Sequence, residues 1–136
     1  MDAGSQTFVP PPSGAQVFQG IRVLDIGHIV AGPFAASVMA DFGAEVIKVE
    51  KPVSGDPLRW LYPKNGVGLF YKMQARNKKS ITLDLKQAKG RAIFHSLIEK
   101  SDVLVENFRP GVMERLESGW DVLSACLLYT SPSPRD

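Results

Sequence analysis

Four short apolar stretches, separated by helix-like or irregular segments, limit what this chain can fold into more than any other feature. They are residues 21–26 (IRVLDI), 45–50 (EVIKVE), 80–85 (SITLDL) and 102–106 (DVLVE). The first is continuous and β-branched, which suits a strand covered on both faces. The third alternates, with Ile81, Leu83 and Leu85 on one side and Thr82 and Asp84 on the other. After the first strand, Pro33 falls in a first helical turn, where its missing N–H is not needed. Phe34, Ala35, Val38, Met39 and Phe42 then recur at helical spacing and are expected to form that helix's buried face, before Gly43 stops it. Residues 87–100 carry Ala92, Ile93, Phe94, Leu97 and Ile98 at the same period, and a last helix is expected over 111–116. Residues 51–79 are irregular, with prolines and glycines scattered among Trp60, Tyr62, Phe70 and Tyr71; a short helix over 69–74 is the one interruption expected. The order strand, helix, strand, loop, strand, helix, strand, helix predicts an α/β fold. It is a partial Rossmann-like, open, mostly parallel sheet with helices on both faces.

Both ends fall outside this alternation. Residues 1–17 are rich in Pro, Gly and Ser and read as a flexible leader. Residues 126–136 (CLLYTSPSPRD) match, codon for codon, the translation of a transposase-type sequencing-library adaptor and are set aside from the fold. Residues 18–125 are therefore expected to be the N-terminal part of a larger domain, with natural sequence continuing past Ala125. The single cysteine, Cys126, lies in that tail, so no intramolecular disulfide is possible. Sixteen Lys and Arg against 14 acidic residues give a net charge of +2, too small to imply a nucleic-acid or membrane partner. No apolar run approaches the roughly 20 residues of a membrane span. The first nineteen residues hold no Lys or Arg, which argues against a secretory signal or an organellar presequence. A cytoplasmic location is the default expectation.

In sheets of this kind ligands settle beyond the carboxyl ends of the strands. The segments there are GHIVAGP, EKPVSGDP, DLKQ and NFRPG. Three hold a cation, and the fourth opens a helix whose free N–H groups favour anions. Together they suit a phosphate-rich nucleotide. No GxGxxG follows the first strand, and Gly27 and Gly32 alone are a faint signal, so NAD, with Glu50 as its ribose contact, is the weaker fit.

The residues also resemble a known family. Residues 20–57 (GIRVLDIGHIVAGPFAASVMADFGAEVIKVEKPVSGDP), 76–90 (RNKKSITLDLKQAKG) and 101–116 (SDVLVENFRPGVMERL) are similar, in that order, to the N-terminal blocks of family III CoA-transferases. That group includes formyl-CoA and carnitine CoA-transferases and alpha-methylacyl-CoA racemase. The resemblance implies a coenzyme A site. Val30 and Ala31 would stand beside the first helix and Lys51 near the nucleotide. Leu83, Asp84, Leu85 and Lys86 would flank the adenine and phosphates, and Asn107, Phe108, Arg109 and Arg115 would complete the wall. Lys and Arg contacts to phosphate would be charge-assisted. Taken singly, Val30, Leu83 and Leu85 read as core, Lys51, Lys86 and Arg115 as solvated charges, and Asn107 as a cap on the turn before Pro110. His28 ends a strand and titrates near neutrality, but has no identifiable base or nucleophile as partner. Arg76, Lys78 and Lys79 form a basic cluster that either steers phosphates or is simply solvated.

The resemblance further implies acyl-CoA:carboxylate CoA transfer through an aspartyl-CoA thioester, a covalent mechanism. It implies acyl-CoA and a carboxylic acid as substrates, no metal or covalently bound cofactor, and an interlocked homodimer. The nucleophilic aspartate lies downstream of these blocks in the family. None of Asp25, Asp41, Asp56, Asp84, Asp102 and Asp121 matches it, so no catalytic residue is assigned and the chain alone is expected to be inactive. Asp25 and Asp102 read as structural. The alternatives are the racemase branch of the same family and a non-catalytic nucleotide-binding module.

Overall fold

The apolar stretches meet in one sheet because each is too short and too thoroughly apolar to face water. A computed structural model describes residue 14 and residues 16–125; most of the expected leader, and the tail with Cys126, lie outside the described residues. The elements are β1 (Arg22–Asp25), α1 (Ala31–Asp41), β2 (Glu45–Glu50), a 3₁₀ turn (Pro57–Trp60), β3 (Pro63–Lys64), β4 (Val67–Gly68), α2 (Leu69–Gln74), β5 (Lys78–Thr82), α3 (Ala88–Ile98), β6 (Val103–Val105), α4 (Val112–Arg115) and α5 (Trp120–Ser124). Four strands form the sheet in the order β5-β2-β1-β6, every neighbour parallel. The chain steps outward from β1 through β2 to β5, then returns by α3 to the far side of β1. This reversal puts the switch point between β1 and β6, where open α/β sheets hold their ligands.

Alternation along the strands sends successive side chains to opposite faces. On one face Leu24, Ile26 and Val49 pack with Phe94 and Ile98 of α3, Met113 of α4 and Leu123 of α5. On the other, Val23 and Val46 pack with Ala36 and Ala40 of α1. The α/β class with helices on both faces is thus as expected, and the described part of the sheet is wholly parallel. No helix among the described residues is long and apolar enough to cross a membrane.

Three local expectations are corrected. Helix α1 buries Gly32, Pro33, Ala36, Ser37 and Ala40, whereas Phe34, Ala35 and Phe42 are exposed and Val38 and Met39 half-buried. Close approach of a helix to a sheet favours its small residues at the contact and pushes the large ones to the flanks. The strand expected over 80–85 starts at Lys78 and stops at Thr82, because its partner β2 runs out at Glu50, opposite Thr82. A last bond from Leu83 N to Glu50 O, 2.9 Å, ends the ladder and releases residues 83–86 as a loop. The irregular stretch after β2 contains, besides the expected α2, a 3₁₀ turn and the β3–β4 hairpin, and α5 follows α4; none of these has enough apolar periodicity to be read from sequence.

Candidate functional site

The carboxyl half of the α1 face is not apolar. Asp25 of β1, Lys48 and Glu50 of β2, and Lys78 of β5 lie on the same face as Val23 and Val46. Asp25, Lys48 and Glu50 are 0–2% exposed. Charges buried this deeply are tolerated only when paired and hydrogen-bonded. Lys78 Nζ donates to Asp25 Oδ2 at 2.9 Å and to the Pro33 carbonyl at 2.6 Å. Burial lowers its pKa below the ordinary lysine value, against the pull of Asp25. Lys48 Nζ lies 3.1 Å from Asp56 Oδ2 and 3.6 Å from Asp25 Oδ1, and donates to the Gly27 carbonyl.

The segment between β2 and β5 covers this polar face. Its Arg59 donates from Nε and Nη2 to the two Glu50 oxygens, both at 2.7 Å. Tyr71 Oη and Ser80 Oγ donate to Glu50 Oε1 at 2.7 and 2.8 Å, and the Asp56 amide to Oε2 at 2.9 Å. Burial alone would raise the Glu50 carboxyl, but Arg59 and the other donors outweigh it and hold it at about 2 instead of the ordinary 4.5. Burial and Glu50 together push the Tyr71 phenol up. With both oxygens occupied, Glu50 is not free to hold a ribose, which removes the residue on which the NAD reading relied.

Beyond the carboxyl ends of β1, β2 and β5 lies a cleft of about 200 Å³. It is lined by Ile26 and His28 after β1, Val49, Glu50 and Lys51 at the end of β2, Leu83–Lys86 after β5, and Phe108, Val112 and Leu116 after β6. The His28 and Phe108 rings meet at 4.9 Å between centroids with a 59° tilt. Burial and the Lys48 ammonium lower the His28 pKa below its ordinary 6.5, with Asp56, Asp25 and Glu50 pulling the other way, so the ring is neutral at neutral pH. Gly90 in the first turn of α3 fixes the 83–86 loop, because a Cβ there would meet the Asp84 carbonyl at 2.1 Å. The cleft is smaller than the ~300–1,000 Å³ of a pocket for a drug-sized molecule. It offers apolar walls and two lysines to one end of an extended ligand.

Of the residues singled out from sequence, Lys51, Leu83, Asp84, Leu85, Lys86 and Phe108 converge on this cleft; Val30, Ala31, Asn107, Arg109 and Arg115 do not line it. Asn107 turns its carboxamide to the His28 backbone, Oδ1 accepting from His28 N at 2.8 Å and Nδ2 donating to His28 O at 2.9 Å. Each member of the basic cluster has a carboxylate partner, buried for Lys78 and at the surface for Arg76 and Lys79. Arg76 pairs with Asp41 at 2.5 Å, Lys79 with Glu45 at 2.5 Å and Lys78 with Asp25. Asp102 accepts from Arg22 N at 2.8 Å, a structural role, as Asp25's is. Sequence reasoning missed the Lys48–Asp56 pair, which the apolar pattern of EVIKVE conceals, and His28 as a wall of the cleft, which its place just after β1 could have suggested.

A second cavity of about 400 Å³ adjoins the first, sharing Glu50 and Lys51 and adding Arg59, Trp60 and Tyr71.

A family model described as CoA-transferase family III matches residues 18–127. The succinyl-CoA–L-malate CoA-transferase alpha subunit of Chloroflexus aurantiacus is 50% identical over 109 residues, 78% of this chain and 26% of that protein. The formyl-CoA:oxalate CoA-transferase of Afipia carboxidovorans is 43% identical over 109 residues, 79% of this chain and 26% of that protein. The crystal structure of a CaiB/BaiF family protein from Brucella suis superposes with a TM-score of 0.77 at 31% identity, covering 83% of this chain and 31% of that one. The chain spans about a quarter of the length of the curated relatives it matches.

Proposed function

The chain belongs to CoA-transferase family III, and from that premise we propose that it supplies the nucleotide-binding part of a coenzyme A site in an acyl-CoA:carboxylate CoA-transferase. One observation carries the reading: residues from loops after all four sheet strands, including Lys51, Lys86 and Phe108, share one cleft at the rim where such sheets bind ligands. Leu83, Leu85 and Phe108 suit a base, and the two ammonium groups suit phosphates. Val30 and Arg109 stand on the loops after β1 and β6, Ala31 opens α1 and Arg115 ends α4, so a ligand longer than the cleft would have to extend along these elements to meet them. The relatives' names favour transfer over racemisation.

In the complete enzyme, an aspartate carboxylate attacks the donor thioester carbonyl, expels the CoA thiolate and leaves a mixed anhydride. The thiolate then attacks the aspartyl carbonyl, releasing the donor acid as a carboxylate and leaving an aspartyl-CoA thioester. The acceptor carboxylate runs the sequence in reverse. Asp25 and Asp56 are buried in ion pairs, which disfavours either as nucleophile. The attacking aspartate belongs to the part of the family's length that this chain does not span, and residues 1–136 alone transfer no CoA. The complete protein acts in the cytoplasm as a homodimer. The alpha-subunit name of the Chloroflexus relative favours a second reading, pairing with a related chain, and the mass of the complete protein in solution separates the two.

Titration calorimetry of the chain with CoA, dephospho-CoA and NAD tests the site. CoA is expected to bind with the highest affinity, and Lys51→Ala or Lys86→Ala to weaken it on the order of tenfold each, as for the loss of a charge-assisted bond. Equal affinity for NAD, or indifference to both lysines, would sink the reading.

A further inference from the structure

We infer that Asn107 and Asp56 are positioning residues, which clamp the loop between β1 and α1 so that His28 forms the wall of the cleft; the identity of the ligand rests on the coenzyme A reading above. Five successive backbone groups of this loop are bonded to side chains. Gly27 N donates to Asp25 Oδ1 at 3.0 Å, and Gly27 O accepts from Lys48 Nζ. His28 N and His28 O bind the two ends of the Asn107 carboxamide, and Ile29 N donates to Asp56 Oδ1 at 3.3 Å. The same Asp56 Oδ1 accepts from Leu58 N at 2.9 Å, and its Oδ2 holds Lys48, so the clamp is continuous with the cover over the polar face.

The loop needs holding. Ile29 has φ 64°, in the left-handed region that β-branched residues avoid. A residue there is strained and persists only where its surroundings over-determine it. The restraint comes from two directions, Asn107 from the end of β6 and Asp56 from the segment after β2. They meet at the switch point of the sheet, and the His28 ring is thereby set against Phe108. Neither clamping residue lines the cleft, and Asp56 is 1% exposed. In this inference Asn107 acts on a ligand only through His28, in place of the direct contact implied by the family resemblance.

The test is amide hydrogen exchange read by NMR, combined with CoA titration, on the 136-residue chain. Asn107→Ala, at an exposed position that should leave the fold intact, is expected to speed His28 exchange on the order of tenfold or more, as for a lost hydrogen bond. Exchange in β1 and β2 should not change, and CoA affinity should fall several-fold. Adding Ile29→Gly, which relieves the left-handed strain without supplying anything Asn107 could offer a ligand, is expected to recover part of that affinity. Asp56→Ala should speed Ile29 exchange in the same way. Lys86→Ala should lose affinity with His28 exchange unchanged. A fall in affinity for Asn107→Ala with unchanged His28 exchange would make Asn107 a direct ligand and overturn the inference, as would faster exchange with undiminished affinity. If the unsubstituted chain takes up no CoA, the coenzyme reading fails, and the clamp stands or falls on the exchange rates of His28 and Ile29 alone.

Discussion

The two faces of the sheet are built from the same strands, offset by one residue, yet they are held by different physics. Facing α3, Leu24, Ile26 and Val49 meet Phe94, Ile98 and Met113, an apolar contact whose strength follows the area removed from water. Facing the cover after β2, Asp25, Lys48 and Glu50, with Lys78 beside them on β5, meet Asp56 and Arg59, and here the terms nearly cancel, since desolvation offsets most of the attraction. What the polar face supplies is placement. Its side chains end on backbone groups of the site's loops: Gly27 N, Gly27 O, Ile29 N and Asp56 N. Apolar burial, on the α3 face and beneath α1 at the amino end of the other, makes the fold stable, and the polar half of the α1 face decides where the loops stand.

The sharpest way to break that comparison is to remove one charge. Asp25→Ala leaves Lys78 with only the Pro33 carbonyl and takes one carboxylate from Lys48, and orphaning a buried partner costs about 3–5 kcal/mol. Urea denaturation should show a midpoint lowered accordingly with an unchanged slope. A loss under about 1 kcal/mol would mean the face is more hydrated than the structure shows.

Acid should act on the polar face next. Glu50 is held at about 2 against an unfolded value near 4.5, so its contribution is fully present above pH 4.5 and is lost as pH falls toward 2. Its size at neutral pH is roughly 3 kcal/mol. His28 adds a weaker loss in the same direction at higher pH. Its folded value is depressed, so its contribution is present above 6.5 and declines as pH falls through the folded pKa. Stability measured from pH 7 down to 2.5 should therefore fall in two stages, and Glu50→Gln should flatten the second.

The contrast between the faces also explains what was legible in the sequence. Strand positions and the α/β class follow from apolar runs such as IRVLDI and DVLVE, because a strand covered on both faces must be apolar wherever it meets a helix. The partners of Lys48 and Glu50 were not legible. Nothing in EVIKVE says that its charges point inward, and Asp56 and Arg59 come from a stretch with no periodicity. The α1 face was misread for a related reason. Apolar size marked Phe34 and Phe42 as core, whereas the geometry of helix on sheet selected Ala36 and Ala40. Cleft residues such as Leu83 and Phe108 were reached through the family resemblance and through their places after strands, while Asn107's grip on His28 needed coordinates.

The smallest effects sharpen the comparison most, because they change each face by a few atoms. Tyr71→Phe removes one oxygen and leaves Glu50 Oε1 without one donor and Arg59 Nη2 without one acceptor; hydrogen bonds to charged groups put the loss at about 1.5–2 kcal/mol. Ile98→Val removes one buried methylene from the opposite face and should cost about 1 kcal/mol. An apolar neighbour can close part of the gap left by a methylene, whereas Glu50 Oε1, left with Arg59 and Ser80, can replace the lost donor only with water from the adjoining cavity, so the polar face should be the less forgiving. The two substitutions share no partner and lie on opposite sides of the sheet, so the double variant should lose the sum of the single losses to within about 0.5 kcal/mol. A reversed order, or a coupling well beyond that margin, would mean that the sheet transmits strain between its faces and that placement and stability are not divided as argued here.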